Sequence, residues 1–240
     1  MKVEVCSTSI QGIKNAAKAG ADRIELCSGI ELGGLTPSKG LIEQSVKLGL
    51  LDIHCLIRPR AGHFSYTKEE VEIIERDILF AREIGCRGIV IGALTTDFKL
   101  DLSLLKRWKM LAGSMYFTFH RAIDLVIDPF SAIKQLIKLN VDCILSSGQK
   151  EKAIDGLNKL KLWNQNFGDK IHIMPGSGVN KENCNFFKSD GFVFLHLSGS
   201  KKTPSISIPF GVNSEISFLK HELSECNISK IRDVVNLVKS

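Results

Sequence analysis

The chain has 240 residues, 44% of them hydrophobic and 24% charged, which excludes wholesale disorder. A folded chain of this length hides roughly 70% of its extended surface, enough for a sizeable core. Lys and Arg exceed Asp and Glu by 32 to 26, a net charge of +6, but the lysines are scattered and do not make a nucleic-acid signature.

The amino terminus, MKVEVCSTS, opens as a strand and lacks the apolar core of a signal peptide. From there one local pattern returns: AAKAGADRIEL at 16–26, AREIGCRGIVI at 81–91, LIKLNVDCILS at 136–146, and more loosely FFKSDGFVFLH at 186–196. Each reads as a helix end, a turn and an apolar strand, with Gly20 and Gly85 suited to the helix C-cap. Strands are predicted at 3–6, 23–27, 53–58, 88–91, 116–120, 143–146, 171–174 and 192–196. Helices are predicted at 10–19, 41–48, 101–110, 129–139, 151–163 and 228–238, with a short one after Val179. The clearest helix starts at Thr67, where Glu70 completes a capping box and Val71, Ile74, Ile78 and Ala81 share one face. Eight strand–helix units predict an α/β fold, a single (β/α)8 TIM-like barrel domain over 1–240. The rival, an open doubly wound sheet, loses its commonest use because no Gly-x-Gly-x-x-Gly follows the first strand; no organic cofactor is predicted. The stretch 198–217, with Gly199, Pro204, Pro209 and Gly211, reads as a mobile flap or an ordered loop.

Seven cysteines without a CxxC suggest a reducing compartment, so a cytoplasmic location is expected. No apolar run reaches 18 residues, so no span of a bilayer is expected.

Alternation within the strands places charge inside the barrel. Val3 and Val5 face the helices, leaving Glu4 and Cys6 inward; Ile24 and Leu26 leave Arg23, Glu25 and Cys27 inward; His54, Leu56 and Arg58 oppose Ile53, Cys55 and Ile57; Thr118 and His120 oppose Phe117 and Phe119. Buried charge must be paired or used. Glu4 and Arg23 suit an internal network. Glu25, Arg58 and His120 lie at the carboxyl ends of their strands, where this fold places chemistry.

Three readings follow. In the first, an enzyme binds a small anion through Arg58 and Arg60, whose planar forks suit carboxylate or phosphate. Glu25 and His120 exchange a proton, and Asp124 orients His120. Ser147, the glycine-rich turn Gly176-Ser177-Gly178, His196 and Ser198 complete the ligand site, with converging N–H groups for a phosphate. In the second, Cys6 and Cys27, on adjacent strands, hold Cu(I). In the third, the protein is a non-catalytic interaction module.

The stretches GADRIELCSG at 20–29, GGLTPSKG at 33–40, IRPRAGHFSY at 57–66, IGALTTD at 91–97, TFHRAID at 118–124 and MPGSGV at 174–179 resemble the CutC family, named for copper homeostasis, over nearly the whole chain. The resemblance implies a TIM-like barrel, a cytoplasmic location and, in many members, a homodimer. It also implies a copper homeostasis function with copper(I) bound at Cys6 and Cys27. Two departures stand out: Ser177 interrupts the family's usual PGGG turn, and Phe98 stands where glycine often follows ALTxD.

Overall fold

A computed structural model describes residues 1–203, 211 and 223–240. Eight parallel strands alternate with eight helices. The strands are β1 (Lys2–Ser7), β2 (Arg23–Leu26), β3 (Asp52–Leu56), β4 (Gly88–Ile91), β5 (Tyr116–Phe119), β6 (Cys143–Ser146), β7 (His172–Pro175) and β8 (Phe194–Leu197). The helices are α1 (Ile10–Ala19), α2 (Lys39–Leu48), α3 (Lys68–Glu83), α4 (Leu102–Ala112), α5 (Pro129–Lys138), α6 (Leu157–Phe167), α7 (Cys184–Ser189) and α8 (Ile228–Lys239). Hydrogen bonding runs from β7 through β6, β5, β4, β3, β2 and β1 to β8, so the sheet curls into a near-closed (β/α)8 barrel. Among the described residues no helix is long and apolar enough to cross a membrane.

Local chemistry sets the helix ends. Ser9 accepts from the Gly12 N–H at the start of α1, and Gly20 closes it at φ 88°. Thr67 and Glu70 form the predicted capping box of α3. Asp128 caps α5, with Pro129 in the first turn, where a missing N–H costs nothing. The buried faces of these helices meet the outward residues of the strands in one continuous core that includes Val3, Val5, Ile24, Leu26, Ile53 and Phe117. The inward residues form separate clusters: Cys6, Cys27, Leu56 and Val90 in one, and Cys143, Leu145, Met174 and Phe194 in the other. The alternation read from the sequence is therefore the layering of the barrel. Cys143 lies inside the barrel.

Two features depart from expectation. Helix α6 starts at Leu157, not at Glu151, because the chain after β6 folds over itself. Gly148 and Gly156 approach so closely that a Cβ on Gly148 would meet Gly156 O at 2.5 Å. A two-stranded antiparallel ribbon, β9 (Ser200–Thr203) with β10 (Leu223–Cys226), was not anticipated; its SKKT strand has no apolar alternation to betray it. Most of the flap anticipated at 198–217 lies outside the described residues.

The barrel interior is polar at its amino-terminal half. Glu4, opposite Arg23 in register, is fully buried and receives Arg23 Nε at 2.5 Å and His196 Nδ1 at 2.8 Å. Arg23 also lies over the rings of Phe194 (4.2 Å) and Tyr116 (4.8 Å). Burial pushes the Glu4 carboxyl up, but Arg23 and His196 outweigh it and hold it at about 2. Burial holds neighbouring His54 down at about 4, so its ring is neutral near pH 7.

A histidine depressed from 6.5 to about 4 stabilises the fold above its unfolded pKa. That stability is lost as pH falls, because the unfolded chain takes up the proton first. The difference amounts to about 3 kcal/mol. Denaturant titrations should therefore show wild type losing roughly this much relative to His54→Gln between pH 6.5 and pH 4. Parallel pH profiles for the two proteins would refute the assignment.

Candidate active site

The carboxyl ends of the strands surround a cavity of about 320 Å³. Cys6, Glu25, Arg58, His120, Ser177, Gly178, His196 and Ser198 all line it, together with Arg121, Phe64 and Val179. Glu25 follows from register. It stands opposite Cys6 on β1 and His54 on β3, away from Arg23, which belongs to Glu4. It is 5% exposed, and its Oε2 has no hydrogen-bond partner among the described residues. Burial is the main cause of a raised carboxyl pKa, and the neighbouring Glu4 charge adds to it, with His196 opposing.

His120 ends β5. Its Nδ1 accepts from the Ala122 N–H at 3.2 Å, which leaves the proton on Nε2. That nitrogen is buried and unpartnered. Burial first, and then the charge of Arg58, hold the ring at about 3, so it is neutral near pH 7. Such a ring presents an Nε2–H donor and no acidic imidazolium proton. Phe64 packs on it at 4.6 Å between ring centroids and lies beneath the Arg58 guanidinium at 5.0 Å.

Asp124 does not orient His120. Its Oδ2 receives Arg121 Nε at 2.9 Å and Ser147 Oγ at 3.0 Å, and its Oδ1 receives Ser146 Oγ at 2.5 Å and the Gln149 N–H at 3.0 Å. This carboxylate ties the loop after β5 to the loop after β6. Ser147 is fully buried in that network and is not part of the cavity wall. Arg121 Nη2 reaches Ser147 Oγ at 2.8 Å. Arg121, fixed by a buried carboxylate and exposed on the cavity side, is the guanidinium that sequence reasoning passed over.

The two arginines singled out in the RPR segment do other work. Arg58 Nη1 donates to Leu32 O (2.9 Å) and Gly34 O (3.0 Å), and Nη2 to Gly62 O (2.9 Å). It clips the loops after β2 and β3 together and brings to the mouth a positive charge that no carboxylate neutralises among the described residues. Arg60 is outside the cavity. Its Nε meets Glu70 Oε1 at 2.5 Å, so it braces the α3 capping box.

The turn after β7 also divides. Gly176 sits behind the wall, where a Cβ would meet Leu145 Cδ1 at 2.5 Å and His196 Cβ at 3.2 Å. Ser177 occupies φ 84° and Gly178 φ 69°. A left-handed serine costs about 1–2 kcal/mol, and such strain gathers at functional sites. The Ser177 hydroxyl donates its proton to Glu151 O at 2.7 Å. The N–H groups of Ser177, Gly178 and Val179 have no protein acceptor among the described residues, which suits an anion.

A family model described as the CutC family matches residues 1–201. The chain belongs to the CutC family. A CutC family protein of Pasteurella multocida is 42% identical over 200 residues, 83% of this chain and 82% of that protein. The crystal structure of a Streptococcus agalactiae CutC, itself named for copper homeostasis, superimposes with a TM-score of 0.79 at 29% identity, covering 82% of this chain and 98% of that one. Thiamine phosphate pyrophosphorylase from Pyrococcus furiosus shares the fold, with a TM-score of 0.61 at 11% identity over 99% of this chain and 95% of that one.

The expected copper(I) site at Cys6 and Cys27, and with it the copper homeostasis reading, is overturned. The two sulfurs meet at 3.2 Å as a thiol–thiol contact. Cys27 is fully buried and turned from the cavity. The donors that converge with Cys6 are Glu25 and His196, not the soft thiolate set that Cu(I) selects.

The Asp124 network gives a direct test. Asp124→Asn replaces an acceptor by a donor beneath Arg121 and Ser147, and should cost about 2–3 kcal/mol in denaturant unfolding. Arg121→Leu, whose side chain is 40% exposed, should cost less than about 1 kcal/mol. Equal losses would show that the carboxylate is not the hub.

Proposed function

We propose that the protein is an enzyme that moves a proton at a carbon next to a carbonyl in a small carboxylated or phosphorylated metabolite. The reaction class is that of an isomerase, epimerase or lyase step. The observation that carries the reading is Glu25: a buried carboxyl with raised pKa and an unpartnered oxygen, in one cavity with a neutral His120 that offers Nε2–H. Paired groups whose environments push their titrations apart are the mark of divided acid–base roles.

In this reading Glu25 takes the proton from carbon. The developing oxyanion receives hydrogen bonds from His120 Nε2–H and is stabilised by the charge of Arg58. A neutral imidazole donates without surrendering its proton. Arg121, held by Asp124, and the free N–H groups at 177–179 bind the substrate's own anion, which fixes the reacting carbon against Glu25. The likeness in fold to an enzyme named for thiamine phosphate supports a phosphate-bearing ligand.

The test is deuterium exchange from solvent into a panel of small phosphorylated and carboxylated carbonyl compounds, followed by NMR. Wild type should label at least one compound. Glu25→Gln should lose about 10²–10⁴-fold and His120→Asn about 10²–10³-fold. The wild-type rate should rise with pH through the raised Glu25 pKa and then level, because the base acts only when ionised. Exchange that survives Glu25→Gln would sink the proposal.

A further inference from the structure

Cys6, Glu25 and His196 each present a ligand atom within 4.8 Å of the other two. They come from three neighbouring strands: Cys6 on β1 pairs with Glu25 on β2, and His196 on β8 pairs with Glu4, the inward residue before Cys6. Two ligands of one ion with bonds of about 2.0–2.3 Å stand no more than about 4.5 Å apart, so small side-chain rotations bring this set into range. Two independent features point to an occupant. The Glu25 carboxylate is 5% exposed, lines the cavity, and has an oxygen with no partner. His196 is oriented from behind: Glu4 Oε1 holds its Nδ1 at 2.8 Å, leaving Nε2 for the cavity. A carboxylate gripping the far nitrogen of a histidine is the arrangement that orients metal-ligating imidazoles and raises their basicity.

We propose that this mouth binds one divalent cation of the zinc class through Cys6 Sγ, a Glu25 carboxylate oxygen and His196 Nε2. The donor set is one sulfur, one oxygen and one nitrogen. That mixture suits a borderline cation, where soft thiolate pairs select Cu(I) and all-oxygen sites select Mg²⁺ or Ca²⁺. Three protein ligands leave a fourth position, as in zinc sites that receive water or a substrate oxygen. The ion replaces the Cys6 thiol proton, so binding releases a proton and weakens as pH falls. Cys27 takes no part. The inference does not rest on the proton-transfer reading. Glu25 cannot hold the ion and accept a proton from carbon at once, so the loaded protein is switched off for metal-free exchange.

Anaerobic titration with Co²⁺ alone, followed by displacement with Zn²⁺, tests this without any substrate. One equivalent of Co²⁺ should give a near-ultraviolet charge-transfer band of a single thiolate. Cys6→Ser should abolish that band and Cys27→Ser should retain it. Glu25→Gln and His196→Gln should each weaken binding by about tenfold or more, in proteins shown to be folded by their thermal transitions. Should a variant not fold, ¹¹³Cd NMR of wild type counts the sulfur ligands directly, one being expected. No saturable binding tighter than about 0.1 mM, a two-sulfur signature, or an affinity that ignores both Glu25→Gln and His196→Gln would overturn the proposal. Deuterium exchange by metal-free wild type reports separately on the proton-transfer reading.

Discussion

The site depends on one arginine serving only one of two buried glutamates. In-register pairing sets Glu4 beside Arg23, and the same register sets Glu25, two residues along, beside Cys6. Arg23 is thus committed to Glu4 at 2.5 Å. Glu25 keeps a desolvated carboxyl with no cation bonded to it. Two chemically identical side chains in one barrel are pushed in opposite directions, one to about 2 and the other upward. A second arginine beside Glu25 would erase the difference. The ion pair at Glu4 contributes little net stability when set against its own desolvation; its structural effect is to consume the positive charge before it reaches the mouth.

Positive charge at the mouth comes from elsewhere and is held by backbone. Arg58 spends its amino groups on three carbonyls of two loops, so its position is rigid while its charge stays unneutralised. Burial first, and then that charge, depress His120, and the Ala122 N–H fixes which ring nitrogen carries the proton. The loop conformation and the protonation state of His120 are therefore one arrangement. Phe64, between the guanidinium and the imidazole, keeps the two cation-prone groups apart and dry.

The strands and helices were legible because their signals are local and periodic. Val3 and Val5 alternating with Glu4 and Cys6 is enough to assign inside and outside, and Thr67 with Glu70 is enough to start α3. Inward charge also named Glu25 and His120. What was not legible was the partner of each polar group, because partners come from different loops. Arg60 and Arg58 look alike in the RPR segment, yet Glu70 captures one and carbonyl oxygens capture the other. Asp124, one short turn beyond His120, looked like its orienting carboxylate. Apart from Arg121, its partners, Ser146, Ser147 and Gln149, lie more than twenty residues away. The signal for Arg121 was present, since it sits between His120 and Asp124, but only the crossing of two loops shows which side of the wall it occupies.

The same reasoning explains why proximity of cysteines was a poor guide. Cys6 and Cys27 lie close because both are inward at the carboxyl ends of adjacent strands, a consequence of barrel geometry that any two small inward residues would share. Direct sulfur contact at 3.2 Å is thiol packing, and Leu56 and Val90 complete the cluster around it. What distinguishes Cys6 is what it meets on its other side. There the carboxylate of Glu25 and the imidazole of His196 converge, the latter steadied by Glu4, which is itself ionised through Arg23. The chain Arg23–Glu4–His196 carries the effect of the inner ion pair up to the mouth. It fixes the orientation of His196, the imidazole that converges with Cys6 on Glu25.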